Sequence, residues 1–166
     1  CARQLKRWDE AEPYFTAALT AKGDPLFARR SRVRLGQHAL SEGQLAEAKI
    51  LLASEFFKEQ DVVSSAGNYY FFEAQLKGSE MKAAVKSVET LAQTYPDSVY
   101  VAHATLQLCE AGTLGPAELT RVLDAAIQVA AVGASIRSRL HLLRAENLEK
   151  IEALEESRAA YVQLLE

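Results

Sequence analysis

Three histidines, two cysteines and a run of arginines are the side chains of this 166-residue chain with the greatest capacity for chemistry. A zinc centre needs Cys and His grouped closely in sequence or brought together by a compact motif. His38, His103 and His141 are far apart, so no metal site is expected. Cys109 follows His103 by six residues, about 600° of helical rotation, which sets the two on largely opposite faces and prevents a thiolate–imidazole pair. Cys109 instead reads as a small core residue after Leu106 and Leu108. Glu152, Glu155 and Glu156 have the spacing of a solvated helix face. The chain carries no Gly-rich phosphate loop, helical His-Glu metal motif or nucleophile elbow. No catalytic residue, metal or cofactor is therefore predicted, and the chain reads as non-enzymatic.

The arginines are more informative. Arg29, Arg30, Arg32 and Arg34 form the densest basic run, and Arg30 and Arg34, four apart, share one helical face. Such a face either solvates and pairs with nearby carboxylates, or recognises an anion such as an acidic peptide or a C-terminal carboxylate, which guanidinium groups bind bidentately. The 19 basic and 22 acidic residues give a net charge of -3, which argues against nucleic acid as the partner. No stretch approaches the roughly 18 to 20 apolar residues of a membrane span. Four consecutive aromatics, Tyr69 to Phe72, sweep about 300° of helix and cannot all enter one seam, so at least one is expected to face a groove or a neighbouring chain.

Helices must position these residues. Helix formers dominate, the 8 glycines and 4 prolines cluster at breaks, and no β-type alternation persists, so the class is all-α. From Val33 to Leu40 apolar and small residues fall at helical spacing; Ser41 to Gln44 interrupt; periodicity resumes at Leu45, Ala48, Leu51 and Leu52. Two antiparallel helices joined so tightly must touch, and they approach closely only where contact residues are small. Gly36 and Ala48 supply those small faces.

The chain repeats this idea about five times. A partial repeat covers residues 1–25, with Asp9 as candidate N-cap and a helix to about Ala21. Residues 26–60 follow. Residues 61–97 carry helices Ala66 to Lys77 and Met81 to Thr94. Residues 98–133 carry Val99 to Ala111, a longer turn at Gly112 to Gly115, and Pro116 to Ala131. Residues 134–166 carry Ile136 to Leu148 and a helix with Leu154, Ser157, Tyr161 and Leu164 on its core face. Aligning Trp8, Leu45, Met81, Leu119 and Leu154 gives steps of 37, 36, 38 and 35 residues.

Leu35-Gly36 followed by Leu45, Ala48 and Leu52 resembles the tetratricopeptide repeat, whose unit of about 34 residues carries Leu-Gly in its first helix and aromatic, Ala, aromatic in its second. Ala39 departs from that pattern at a position where the family usually has Tyr. Tyr95-Pro96-Asp97-Ser98 with Tyr100 is similar to junctions in bacterial envelope proteins of this superfamily, with Asp97 or Ser98 as the next N-cap. The resemblance implies a right-handed α-solenoid whose first helices line a concave groove. It places Arg30, Gln37, Tyr69, Glu73, Arg139 and Glu146 toward that groove, with Arg34 at its border.

The resulting expectation is a protein–protein interaction scaffold that binds a peptide or partner protein in this groove. The envelope-type junction favours a periplasmic or outer-membrane-associated setting slightly over a cytoplasmic one. Cys1 is either a lipidation position or a fragment boundary, and the early start of repeat-like sequence favours the boundary. A chain that opens and stops within hairpins reads as a piece of a longer array, with apolar surface at Trp8, Tyr161 and Leu164 for neighbouring repeats or self-association. Two alternatives are a substrate-positioning repeat region of a larger enzyme or signalling protein, and a cytoplasmic peptide-sensing regulator.

Overall fold

In a computed structural model that describes residues 8–21, 23–112, 114–129 and 132–164, the secondary structure is helical, with no strand among the described residues. The helices are α1 Trp8–Thr20, α2 Pro25–Ser41, α3 Leu45–Leu51, α4 Val62–Lys77, α5 Met81–Thr94, α6 Val99–Ala111, α7 Pro116–Ile127, α8 Ala134–Lys150 and α9 Leu154–Val162, with a 3-10 turn at Ser54–Phe56. The chain divides into two compact units, Cys1–Ser79 and Glu80–Glu166.

Helix starts follow local capping chemistry. Asp24 Oδ1 accepts from the Leu26 N–H at 2.8 Å, and Pro25 opens α2, using a first-turn position that needs no amide donor. Asp61 Oδ1 accepts from the Ser64 N–H at 2.7 Å. That cap lets α4 begin at Val62, four residues ahead of the expected Ala66. Ser98, rather than Asp97, caps α6, accepting from the Tyr100 N–H at 3.3 Å. Asp9 lies inside α1 and is not its N-cap. At the other end, α7 stops at Ile127 instead of Ala131. Beyond it the Arg137 guanidinium donates to the carbonyls of Val129 (3.3 Å) and Val132 (3.2 Å), tying the residues after α7 to the start of α8.

Three tight turns share one backbone form. Gly43, Ser79 and Glu152 have φ of 75°, 59° and 60°, and each is followed by a residue near φ −80°, ψ 60°: Gln44, Glu80 and Ala153. Only the first of the three uses glycine. Three residues beyond Leu45, Met81, Leu119 and Leu154, the side chains of Ala48, Ala84, Val122 and Ser157 are buried, whereas Ala11, three beyond Trp8, is half-buried. For Val122 the helix begins one turn earlier, at Pro116, so the core spacing survives where the helix start moves.

In the first unit α2 packs on α1, α3 and α4. Gly36 of α2 faces Leu52: a Cβ added there would fall 2.7 Å from both Leu52 methyl carbons, and Leu52 is fully buried. A second contact of this kind joins Gly67 of α4 to Phe57, whose Cγ and Cε1 would lie 2.5 Å from an added Cβ. Asn68 Nδ2 donates to the Phe57 carbonyl at 3.0 Å and to the Ser64 carbonyl at 2.9 Å, fixing the segment that carries Phe57. At the outer edge Trp8 stacks on His38, ring centroids 4.2 Å apart, and on Phe15 at 5.6 Å.

In the second unit α8 packs on α7 and α9, while α5, α6 and α7 contact one another. Buried Asn147 donates to the Pro116 carbonyl and to Thr120 Oγ1, both at 2.8 Å. Ser157 Oγ donates to the Ala145 carbonyl at 3.1 Å, tying α9 to α8 beside the small core of Ala145, Leu148 and Ala160.

Two substitutions check this account. Gly36→Leu overpacks the Leu52 contact and is expected to destabilise the fold by about 1 to 3 kcal/mol; an unchanged urea midpoint would remove Gly36 from the seam. Glu152→Gly relieves a left-handed backbone at a non-glycine residue and is expected to stabilise by about 0.5 to 1 kcal/mol, seen as a raised urea midpoint with an unchanged slope.

Candidate functional site

The four arginines of α2 separate into two pairs. Arg29 turns toward α4: its Nη2 meets Asp61 Oδ2 at 2.8 Å and its Nη1 lies 3.5 Å from Glu59, with the Arg29 side chain 16% exposed and Asp61 35%. Asp61 is therefore both the α4 cap and an ion-pair partner. Burial alone would raise its pKa, but the Ser64 N–H, the Arg29 charge and the Val63 N–H outweigh it and hold the carboxyl below its ordinary value. Arg32 lies over the Phe56 ring, 3.5 Å from the centroid, a cation–π contact. Burial lowers the Arg32 pKa against the opposing charge of Glu55. Arg29 thus pairs with carboxylates, one of the two roles the sequence left open for the run, while Arg32 is held by an aromatic ring.

Arg30 and Arg34 are exposed. Among the described residues neither forms an ion pair, and Arg34 Nη1 donates to Gln37 Oε1 at 3.2 Å. Arg30, Arg34 and Gln37 thus occupy one face of α2, at i, i+4 and i+7. The sequence reading missed Phe27, three residues before Arg30 on the same stripe and 60% exposed. Its spacing from Arg30 was the available signal.

Tyr69 departs from the expected groove lining. It is only 9% exposed, with its ring 5.1 Å from that of Tyr70 and 6.2 Å from that of Phe72. The aromatic run resolves into buried Tyr69 and Phe72 and half-buried Tyr70 and Phe71, because α2, α3 and the 3-10 turn all pack on α4. Glu73, one turn past Tyr69, is half-buried. In the second unit, Arg139 Nη2 meets Glu110 Oε1 at 3.2 Å, with both side chains more than half exposed, a surface pair contributing about 0 to 1 kcal/mol. Glu146, half-buried two turns along α8 from Arg139, lies near the Tyr161 phenol. The structure therefore groups exposed Arg30 and Arg34 with half-buried Gln37 on one face of α2 and withdraws Tyr69 from the surface.

The remaining reactive side chains sit in structural surroundings. Burial pushes the Cys109 thiol up to about 11, with Glu110 adding to the rise and Arg139 opposing it; at neutral pH it is a thiol and a poor nucleophile. His103 is exposed and His38 stacks on Trp8. His141 has its Nδ1 buried with no hydrogen-bond partner; burial first, then the charges of Arg144 and Arg137, lower its pKa. Among the described residues no group of three Cys, His, Asp or Glu could hold a metal ion, and no helix is long and apolar enough to cross a membrane.

Comparison of the chain with family models, with curated proteins and with solved structures found no match.

His141 and Asp61, the shifted groups that titrate at acidic to neutral pH, predict a pH profile. His141 and Asp61 both have folded pKa values below their unfolded ones, so the folded state binds fewer protons than the unfolded state and stability falls on acidification. The His141 contribution is complete above about pH 6.5 and is lost as pH drops below it; the Asp61 contribution is lost only below about pH 4. Melting temperature is expected to decline between pH 7 and 5, and His141→Gln to flatten that decline while leaving the steeper fall below pH 4 in place. An identical decline in the variant would mean that His141 does not carry the effect.

Proposed function

We propose that the protein is a non-enzymatic interaction scaffold of tetratricopeptide-like helical hairpins, arranged as an α-solenoid, that holds an acidic peptide or partner segment against the outward face of α2. The observation that carries this reading is the division of the arginine run. Arg29 and Arg32 are committed to Asp61 and Phe56, whereas Arg30 and Arg34 stand exposed without an ion-pair partner among the described residues. Two guanidinium groups one helical turn apart suit carboxylates, which they can grip bidentately. Gln37 orients Arg34 from the next turn. The apolar anchor on this face is Phe27, in the place the sequence reading gave to Tyr69, and an exposed aromatic beside cations matches the composition of binding hot spots. A peptide carrying an apolar side chain next to a carboxylate, internal or C-terminal, meets both features. A bacterial envelope assembly is the setting that the Tyr95-Pro96-Asp97-Ser98 junction favours.

The test is charge reversal. In fluorescence polarisation against labelled acidic peptides with an apolar residue beside a carboxylate, the native protein is expected to bind in a salt-sensitive manner. Arg30→Glu with Arg34→Glu is expected to abolish binding while shifting the melting temperature by less than about 2 °C, since both side chains are exposed. Undiminished binding by the double variant removes this face as the site. A collapse of stability assigns the two arginines to the fold.

A further inference from the structure

The exposed stripe of α2 runs Phe27, Arg30, Arg34, an aromatic followed by two cations at successive turns. The same chain carries the chemical complement of that stripe. Of the large apolar side chains exposed among the described residues, Val62, Ile151 and Leu154 are the ones with a carboxylate next to them in sequence. The carboxylate beside Val62 is Asp61, already committed to the Ser64 N–H and to Arg29. Ile151 and Leu154, 44% and 65% exposed, remain, and they adjoin Glu152 and Glu155 in the turn that joins α8 to α9.

The charge of this turn is accessible. Glu152, Glu155 and Glu156 are exposed and form no ion pair among the described residues. With exposed Glu149 they outnumber Lys150 and Arg158, the cations of residues 149–158. The backbone of the turn is also fixed in place. The Leu148 carbonyl accepts from the Ile151 N–H at 3.3 Å and from the Ala153 N–H at 3.0 Å, and the bond from Ser157 to the Ala145 carbonyl holds the start of α9 against α8. A segment already ordered loses little further freedom when it docks.

We infer that the α2 face of one copy receives the α8–α9 turn of a second copy of this chain. Glu152 and Glu155, on either side of Leu154, answer the two guanidinium groups, and Leu154 with Ile151 supplies the apolar surface that covers Phe27. Complementary charge fixes which surfaces meet, because α2 against α2 or turn against turn would oppose like charges. Each copy offers both surfaces, so the contact is head-to-tail and leaves one surface of each kind open for a further copy. The inference rests on the reading of the α2 face as a site for acidic segments and names the partner.

Sedimentation equilibrium of the whole chain tests the inference. At about 50 mM salt the weight-average mass is expected to rise above the monomer value between about 10 μM and about 1 mM protein, and to fall back at about 0.5 M salt. Arg30→Glu with Arg34→Glu, and separately Glu152→Lys with Glu155→Lys, should each leave a monomer whose melting temperature lies within about 3 °C of the native one. Mixing the two variants should restore association, because each then meets opposite charge on the other. Leu154→Ser, at an exposed position, should weaken association at least about fivefold, which keeps the test valid if the glutamate reversal unfolds α9. A monomer mass throughout, association that persists in either charge-reversed variant, or a mixture that stays monomeric overturns the second copy as occupant. If the native chain stays monomeric yet binds the acidic peptides, the α2 reading stands without this partner; if it does neither, both fall.

Discussion

Close approach of a helix backbone to a large apolar side chain is the constraint on which the first unit depends. Gly36 gives α2 a surface with no Cβ, and Leu52 occupies the space. Gly67 gives α4 the same kind of surface, and Phe57 occupies that. Each glycine costs about 1 kcal/mol of helix propensity relative to alanine. Full burial of a Leu or Phe side chain returns about 1.5 to 3 kcal/mol, so the exchange favours the folded unit. The order of events along the chain follows from it. Leu52 ends the α3 turn against α2, Phe57 five residues later locks onto α4, and the intervening 3-10 turn brings Phe56 under the Arg32 guanidinium. The Arg29–Asp61 pair then closes the same corner from the other side, at the residue that also starts α4.

The second unit solves its packing differently. The contacts of α8 with α7 and α9 use polar side chains aimed at backbone carbonyls. Asn147 reaches the first turn of α7, Ser157 the Ala145 carbonyl and Arg137 the carbonyls beyond α7. A buried amide or hydroxyl that finds its acceptor contributes about 0.5 to 1.5 kcal/mol net, but one that loses it costs about 1 to 3 kcal/mol. Such ties therefore specify register more strongly than they stabilise. Arg144 adds a side-chain tie between α8 and α7, donating from Nε to the Asp124 carboxylate.

Much of the helix pattern was legible in the sequence because apolar periodicity and turn residues agreed. Met81–Thr94 and Val99–Ala111 form as read, and the Ser41 to Gln44 interruption is the α2–α3 turn. The misplaced boundaries lie where a cap was overlooked or attributed to the wrong residue: Asp61 starts α4 four residues ahead of the expected Ala66, and Asp9 lies within α1. Tyr69 was misread for a related reason. Periodicity divides the run Tyr69 to Phe72 among faces but does not say how many faces are covered. The 54–57 segment, which covers one of them, carries no helical period; its only sign was the adjacent pair Phe56 and Phe57 in an otherwise polar linker.

The arginine run shows what spacing can and cannot decide. Arg29 and Arg30 are about 100° apart on the helix, whereas Arg30 and Arg34 are about 40° apart. Division of the run between two faces was thus implicit in the numbering, while the face that would meet carboxylates depended on where Asp61 and Glu59 fall. In the second unit Arg121, Arg139 and Arg144 each face a carboxylate, so their fields are largely neutralised within a few ångströms. On α2, Arg30 and Arg34 form no ion pair among the described residues, and two like charges one helical turn apart lie within a Debye length of about 8 Å at physiological salt, so their fields add. Under the proposed reading, an acidic segment would be drawn to this face at short range although the chain as a whole carries a net charge of -3, because the nearest charges dominate the local field.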